Sequence, residues 1–299
     1  METPPSPYMH GQSVFDQVTP LSNEEVDLLF SDPEEYNDSA IEADDLDLVT
    51  GDQCSITLTP ALVKGVTKVT YIMLPHSAPL DAVKLTARIL AMSEAEMSIQ
   101  SRLFTMILRS DISMLMDMHR LILLASKEIL YTLAQYLNRP ILDESEWSQL
   151  RNGSLGGFAA LKDDTIYEYT LLCPPRFTDQ PPLNHGLDLF RRPYTNFPPV
   201  KTHVTPFALA FHALRVLECT TFPMTFDFEH VFRARTLREM NHIEDSLERA
   251  LLGITKDDEK PSVMPQEMQD HIEAFMNFVL AFDRRCAVVR AIMNQTPPQ

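Results

Sequence analysis

The charged residues of this chain are divided so unevenly that they mark where a fold can be built. Residues 1–52 hold 14 Asp and Glu and no Lys or Arg, and the first basic side chain is Lys64. Residues 53–299 hold 28 acids and 25 bases, so the formal charge of −17 belongs mostly to the first stretch. That stretch also carries five Pro and little aliphatic mass. It cannot bury enough apolar surface to offset the entropy of ordering, which predicts a disordered acidic interaction tail over 1–52. Residues 53–299 are a nearly charge-balanced body, long enough for one hydrophobic core or for two tightly packed halves.

Inside the tail one segment is better organised. Ser22-Asn23-Glu24-Glu25 has the spacing of a capping box, in which the Ser22 hydroxyl accepts the Glu25 amide and the Glu25 carboxylate reaches back. Leu21 and Val26 occupy the two positions of a hydrophobic staple. Leu29 and Phe30 follow Val26 at i+3 and i+4, with Leu28 beside them, and Pro33 stops the helix. Two turns are too short to persist alone, but they can form on a partner. Val26, Leu28, Leu29 and Phe30 are therefore the candidate partner-binding residues. The acids around them keep the apolar face solvated and steer it toward a basic-rimmed apolar groove on another protein. Ile41–Val49 is a weaker echo, and Thr3-Pro4, Ser6-Pro7 and Thr19-Pro20 are proline-directed hydroxyls upstream.

The body reads as mainly α, a multi-helix globular domain with small β elements. Cys54–Leu58 and the β-branched stretch Val66–Leu74 suggest a strand pair near 54–74 about a Lys64-Gly65 turn. From Pro79 the period turns helical. Leu80–Met92 is one helix, and Ser93–Glu96 opens a second that runs to about Arg109. Ile112–Leu137 is apolar almost all round and is expected to be the buried central helix, with His119 and Ser126 on one of its stripes. Asn152–Gly157 reads as a turn into a hairpin near 158–173 about Asp163-Asp164. Residues 174–206 hold eight Pro and read as a long irregular loop, the natural divider if the body has two halves. Thr205-Pro206 opens a helix to about Cys219, and Asp227–Leu252 is another, ended by Gly253.

The final helix begins near Pro265. Met268, Ile272, Phe275, Val279, Phe282, Cys286, Val289 and Met293 recur along it at alternating steps of four and three. Phe278 and Met276 widen that stripe, which favours a helix facing the core. The alternative is a homo-oligomer seam through Ile272, Phe275, Val279, Phe282 and Val289.

Several chemistries lack their residues. Cys54, Cys173, Cys219 and Cys286 form no CxxC pair, so neither a zinc site nor a thioredoxin-like motif is indicated, and scattered thiols suit a reducing compartment. Eight Gly is under half the usual ~7%, and no GxGxxG or GxxxxGK occurs. The nine His form no HExxH, and no GxSxG elbow is present. No catalytic, cofactor-binding or metal-ligating residue is therefore assigned, and no cofactor is implied. Arg233, Arg235 and Arg238, then Arg284, Arg285 and Arg290, form two basic clusters. Arg176, Arg191 and Arg192 interleave with Phe177, Phe190, Tyr194 and Phe197. That mixture can bind single-stranded nucleic acid, but interspersed acids and the balanced body argue against direct nucleic-acid binding. The N-terminus lacks a basic and an apolar signal region, and no apolar run approaches the ~20 residues that span a bilayer, so no membrane partner is expected.

These features point to a non-enzymatic protein-interaction and regulatory protein, nuclear or cytoplasmic, whose acidic docking segment resembles transcriptional activation regions. Two alternatives stand beside it. One is a helical small-molecule-binding domain, hormone-receptor-like by fold analogy; the other is an enzyme of unidentified class.

Overall fold

The computed structural model describes residues 53–58, 67–73, 80–92, 103–140, 146–162, 165–194, 196–219 and 232–295, all within one compact unit, Ile41–Gln299. The tail of 1–52, with its docking segment, lies outside the described residues, as does the Asp163-Asp164 turn. Seven α-helices and three small antiparallel sheets occur among the described residues, so the body is mainly helical.

β1 (Thr67–Tyr71) pairs antiparallel with a strand some way downstream rather than with Cys54–Leu58. Residues Ser55–Thr57 form a turn, and the Ser55 amide donates to the Ile107 carbonyl at 2.9 Å. α1 (Leu80–Ile89) follows as its period suggests, with Leu85 and Ile89 buried. The partner of β1 is β2 (Thr105–Arg109), with Thr67 opposite Arg109 and Tyr71 opposite Thr105. The expected second helix is thus wrong at its end. Met106 and Leu108 are buried while Ile107 and Arg109 are half-exposed, the two-residue period of a strand.

The expected helix over Ile112–Leu137 is three elements: α2 (Ser110–Asp117), β3 (Ile122–Ala125) and α3 (Lys127–Leu137). His119, at φ 54°, turns the chain out of α2, and the Arg120 amide returns to the Leu115 carbonyl at 2.8 Å. Ile122–Ala125 are all buried, which is why they read as an unbroken apolar run; such a run does not distinguish a buried strand from a helix. Ser126 is not part of an apolar stripe. It caps α3, its hydroxyl accepting the Ile129 amide at 3.5 Å.

α4 (Glu146–Arg151) leads through Gly153 at φ 73° into a short 3-10 turn, Ala159–Leu161, and then into β4 (Tyr167–Leu172). Among the described residues of 158–173 the expected first strand is that 3-10 turn, so β4 has no hairpin partner there. The Pro-rich segment contains a hairpin instead, β5 (Leu183–His185) with β6 (Asp188–Phe190), and then β7 (Val200–Thr202). β4 is the middle strand of a three-stranded sheet, with Ile122 of β3 opposite Leu172 and Thr202 of β7 opposite Tyr167.

α5 (Pro206–Glu218) is the true central helix. Pro206 sits in its first turn, and every residue from Pro206 to Leu214 is buried, as are Val216 and Leu217. α6 (Leu237–Leu252) starts at a complete capping box, Thr236 with Glu239, rather than near Asp227, and Gly253 ends it at φ 70°. α7 (Gln266–Gln295) packs along α3 and also touches α1 and α6.

The core between α5 and α7 is aromatic. Phe207 and Phe211 of α5, one turn apart, meet Phe278 and Phe282 of α7, with ring centroids 6.2 Å apart for Phe207–Phe278 and 5.5 Å for Phe211–Phe282. The face of α7 carrying Ile272, Phe275, Val279, Phe282 and Val289 is in this core, none of the five more than 7% exposed. Burial within the chain favours the core-facing reading of this stripe over the alternative of a seam between copies. A buried guanidinium adds direction to this apolar contact. Arg285, 2% exposed, donates to the Ile89 carbonyl at the end of α1 (3.0 Å) and to the Arg139 carbonyl beyond α3 (2.6 Å).

Candidate functional site

The outer face of α7 changes character along its length. In the first half its exposed residues include Gln266, Glu267, Gln269 and Glu273; in the second they include Leu280, Arg284, Ala287, Val288, Ala291, Ile292 and Asn294. Leu280, Val288 and Ile292 are each 40–50% exposed. Between Arg284 and Asn294 the helix has no acid.

The basic clusters are largely engaged internally. Arg235 bonds Glu218 at 3.0 Å and the Asp283 carboxylate, while Arg233 pairs with Glu239. Phe177 has Arg120 at 4.7 Å and Arg176 at 4.9 Å from its ring centre, and Phe190 packs on Phe197 at 5.0 Å. The Arg–aromatic interleaving thus builds a packed loop.

Three segments distant in sequence enclose a cleft of about 200 Å³. α5 supplies Val216 and Leu217 from its last turn and Cys219 just beyond. The chain leaving β4 supplies Pro174, Pro175 and Arg176. α6 presents His242, Ser246 and Arg249, which share one face at i, i+4 and i+7, together with Asp245, and exposed Lys256 completes the lining.

Arg176 is placed there by the carbonyls that a helix leaves unpaired at its C-terminus. Its guanidinium donates to Val216 O at 2.8 Å, to Cys219 O, and to His119 O at 3.2 Å. Burial lowers its pKa, and the groups that offset this are the thiols of Cys219 and Cys173 rather than a carboxylate. Asp245, by contrast, is answered twice, by Arg249 at 3.1 Å and Lys260 at 2.7 Å. His242 Nε2 is buried with no hydrogen-bond partner. Of the four cysteines, none in a disulfide, Cys219 alone is not buried. The sequence sets Arg284 and Arg285 beside Cys286, which is buried; the fold brings Arg176 to Cys219.

Behind Arg176 lie two buried imidazoles. His119 and His212 stack with centroids 5.8 Å apart and are 7% and 5% exposed. Burial, then the neighbouring His212, Arg215 and Arg176, push the His119 pKa down to about 2. Burial and Arg215 bring His212 to about 3 against the hydrogen bond to the Met116 backbone. Both rings are neutral near pH 7, so the pair is core structure rather than an acid–base couple.

Among the described residues no group of three or more His, Cys, Asp or Glu could hold a metal ion, and no helix is long and apolar enough to cross a membrane. Comparison with known proteins adds no relative: no family model, curated protein or solved structure matches the chain.

Proposed function

We propose that this protein is a non-enzymatic interaction protein that acts in the nucleus or cytoplasm, and that its specific task is to regulate transcription. The observation that carries the reading is the charge partition: 14 acids without a base in residues 1–52, gathered around Val26, Leu28, Leu29 and Phe30. A capped, two-turn amphipathic helix of that composition docks into an apolar groove rimmed by basic side chains, the acids steering the encounter and the four apolar side chains supplying the contact. The body serves as the scaffold. Its packed aromatic core suits that role, and the apolar, Arg-bearing outer face of α7 gives it a second surface for contact.

Affinity capture followed by mass spectrometry tests this reading. The full chain, residues 53–299 and a Val26→Ala/Leu29→Ala/Phe30→Ala variant serve as baits. The partners lost on truncation should also be lost by the triple variant, with the thermal unfolding of the body unchanged. Equal capture by the variant would remove the docking role.

A second reading, a helical domain that binds a small molecule, draws on the order of the elements and on the cleft between α5 and α6. The phenylalanines between α5 and α7 fill the interior space that a hormone-sized ligand would need.

A further inference from the structure

The cleft between α5 and α6 has a charge that no described residue neutralises. Arg176 lines it, and the partners of its guanidinium are three backbone carbonyls and the Phe177 ring. Carbonyls satisfy its donors but leave its unit charge uncompensated in a partly desolvated place, where an anion is worth more than in water. Asp245 does not supply that anion, since Arg249 and Lys260 already hold it. His242 of α6 also lines the cleft, its Nε2 buried and without a hydrogen-bond partner. Pro174, Pro175, Val216 and Leu217 give the cleft an apolar wall, and Cys219, Ser246, Arg249 and Lys256 complete the lining.

We propose that this cleft binds a small organic monocarboxylate, its charge set toward Arg176 and its apolar body lying between the prolines and the end of α5. Size narrows the class further. A part-open cleft of about 200 Å³ has room for a small ligand such as a carboxylate on a chain of about six carbons. Lys256 also lines the cleft but is exposed to solvent, so Arg176 is the desolvated charge there, and it matches one carboxylate. The inference extends the small-molecule reading to a named site and does not depend on the tail.

Cys219 reports on occupancy, because it lines the same cleft and the other three cysteines are buried. The full chain is alkylated with neutral iodoacetamide at constant ionic strength, and the Cys219 rate is read by peptide mass spectrometry. Hexanoate, hexanamide and inorganic phosphate are the added probes. For so small a ligand a Kd on the order of 1 mM is expected, so about 10 mM hexanoate should slow Cys219 alkylation about tenfold. Hexanamide, which keeps the body and loses the charge, and phosphate, which keeps charge and loses the body, should each change the rate less than about twofold by the same arithmetic. Arg176 also caps α5, so the control variant is Ser246→Leu, which fills the cleft from α6 and should abolish the protection. Equal protection by hexanamide or by phosphate, no protection by hexanoate, or protection that survives Ser246→Leu would each overturn the proposal.

Discussion

Acidification tests the buried histidine pair directly. His119 and His212 have ordinary imidazole pKa values near 6.5 when the chain is unfolded, and about 2 and about 3 in the folded protein. Their folded values are depressed, so below pH 6.5 the unfolded chain takes up protons that the native state refuses. The stability contributed by the neutral pair is complete above pH 6.5, and it is lost steadily as the pH falls from there toward about 3. Between about pH 7.5 and about pH 5.5, one such ring costs about 1–1.5 kcal/mol and the two together about 3 kcal/mol. For a body of this size that corresponds to a fall in Tm of roughly 6–12 °C. His271 acts in the same direction, because its burial outweighs its hydrogen bond to Ala125 O at 2.7 Å. Asp283 acts in the opposite one, since burial raises its carboxyl. A His212→Gln variant separates the pair from both. It should be less stable at neutral pH, but its loss on acidification should be smaller than that of the wild-type chain by about one ring's share, about 1–1.5 kcal/mol between about pH 7.5 and about pH 5.5. The measurement is urea unfolding at a series of pH values, with imidazole proton shifts followed by NMR. If wild type and variant lose stability in parallel, or if either ring titrates near pH 6.5 in the folded protein, the desolvation argument fails.

Three further outcomes follow from the packing. Arg285→Met removes the guanidinium that holds the Ile89 and Arg139 carbonyls and lies 3.9 Å from the buried Glu146 carboxylate; it should cost about 3 kcal/mol in urea unfolding, mostly from the acceptors left unpaired. Phe282→Ala in the core face of α7 should cost about 3–5 kcal/mol, whereas Val288→Ala on its outer face should stay within about 0.5 kcal/mol in the same assay. Thr236→Ala breaks the capping box at the start of α6 by removing the hydroxyl that accepts the Glu239 amide at 3.4 Å; a loss of about 1 kcal/mol is expected, with hydrogen exchange accelerated in the first turn of α6.

Where the chain carries local punctuation, the sequence reading and the structure agree closely. Thr205-Pro206 opens α5, Gly253 closes α6, and the last helix begins one residue past Pro265. Each of these signals acts through the conformation or hydrogen bonding of its own residue, so neighbours in sequence suffice to read it. Strand pairing is different. Ile122–Ala125 are extended because β4, more than forty residues later, supplies their hydrogen-bond partners, and helical spacing on either side conceals the change. One local mark was present. Ser126 interrupts the run with a hydroxyl that accepts the Ile129 amide, the behaviour of a cap and not of an interior stripe.

The cleft was illegible for the same reason in stronger form. Arg176 looked like one basic residue in a proline-rich loop because nothing near it in sequence needs a cation. Its partners are the exposed carbonyls of a helix end 40 and 43 residues away, and those carbonyls exist as acceptors only once α5 has formed and stopped. His242 and Ser246 likewise looked like ordinary members of an amphipathic helix, with the turn between them giving no hint of what they face. A charge recruited to satisfy another element's backbone leaves its own counterion unspecified. In this chain that is the point at which folding requirements end and a binding requirement begins: α5 accounts for the donors of Arg176, and no described residue accounts for its charge.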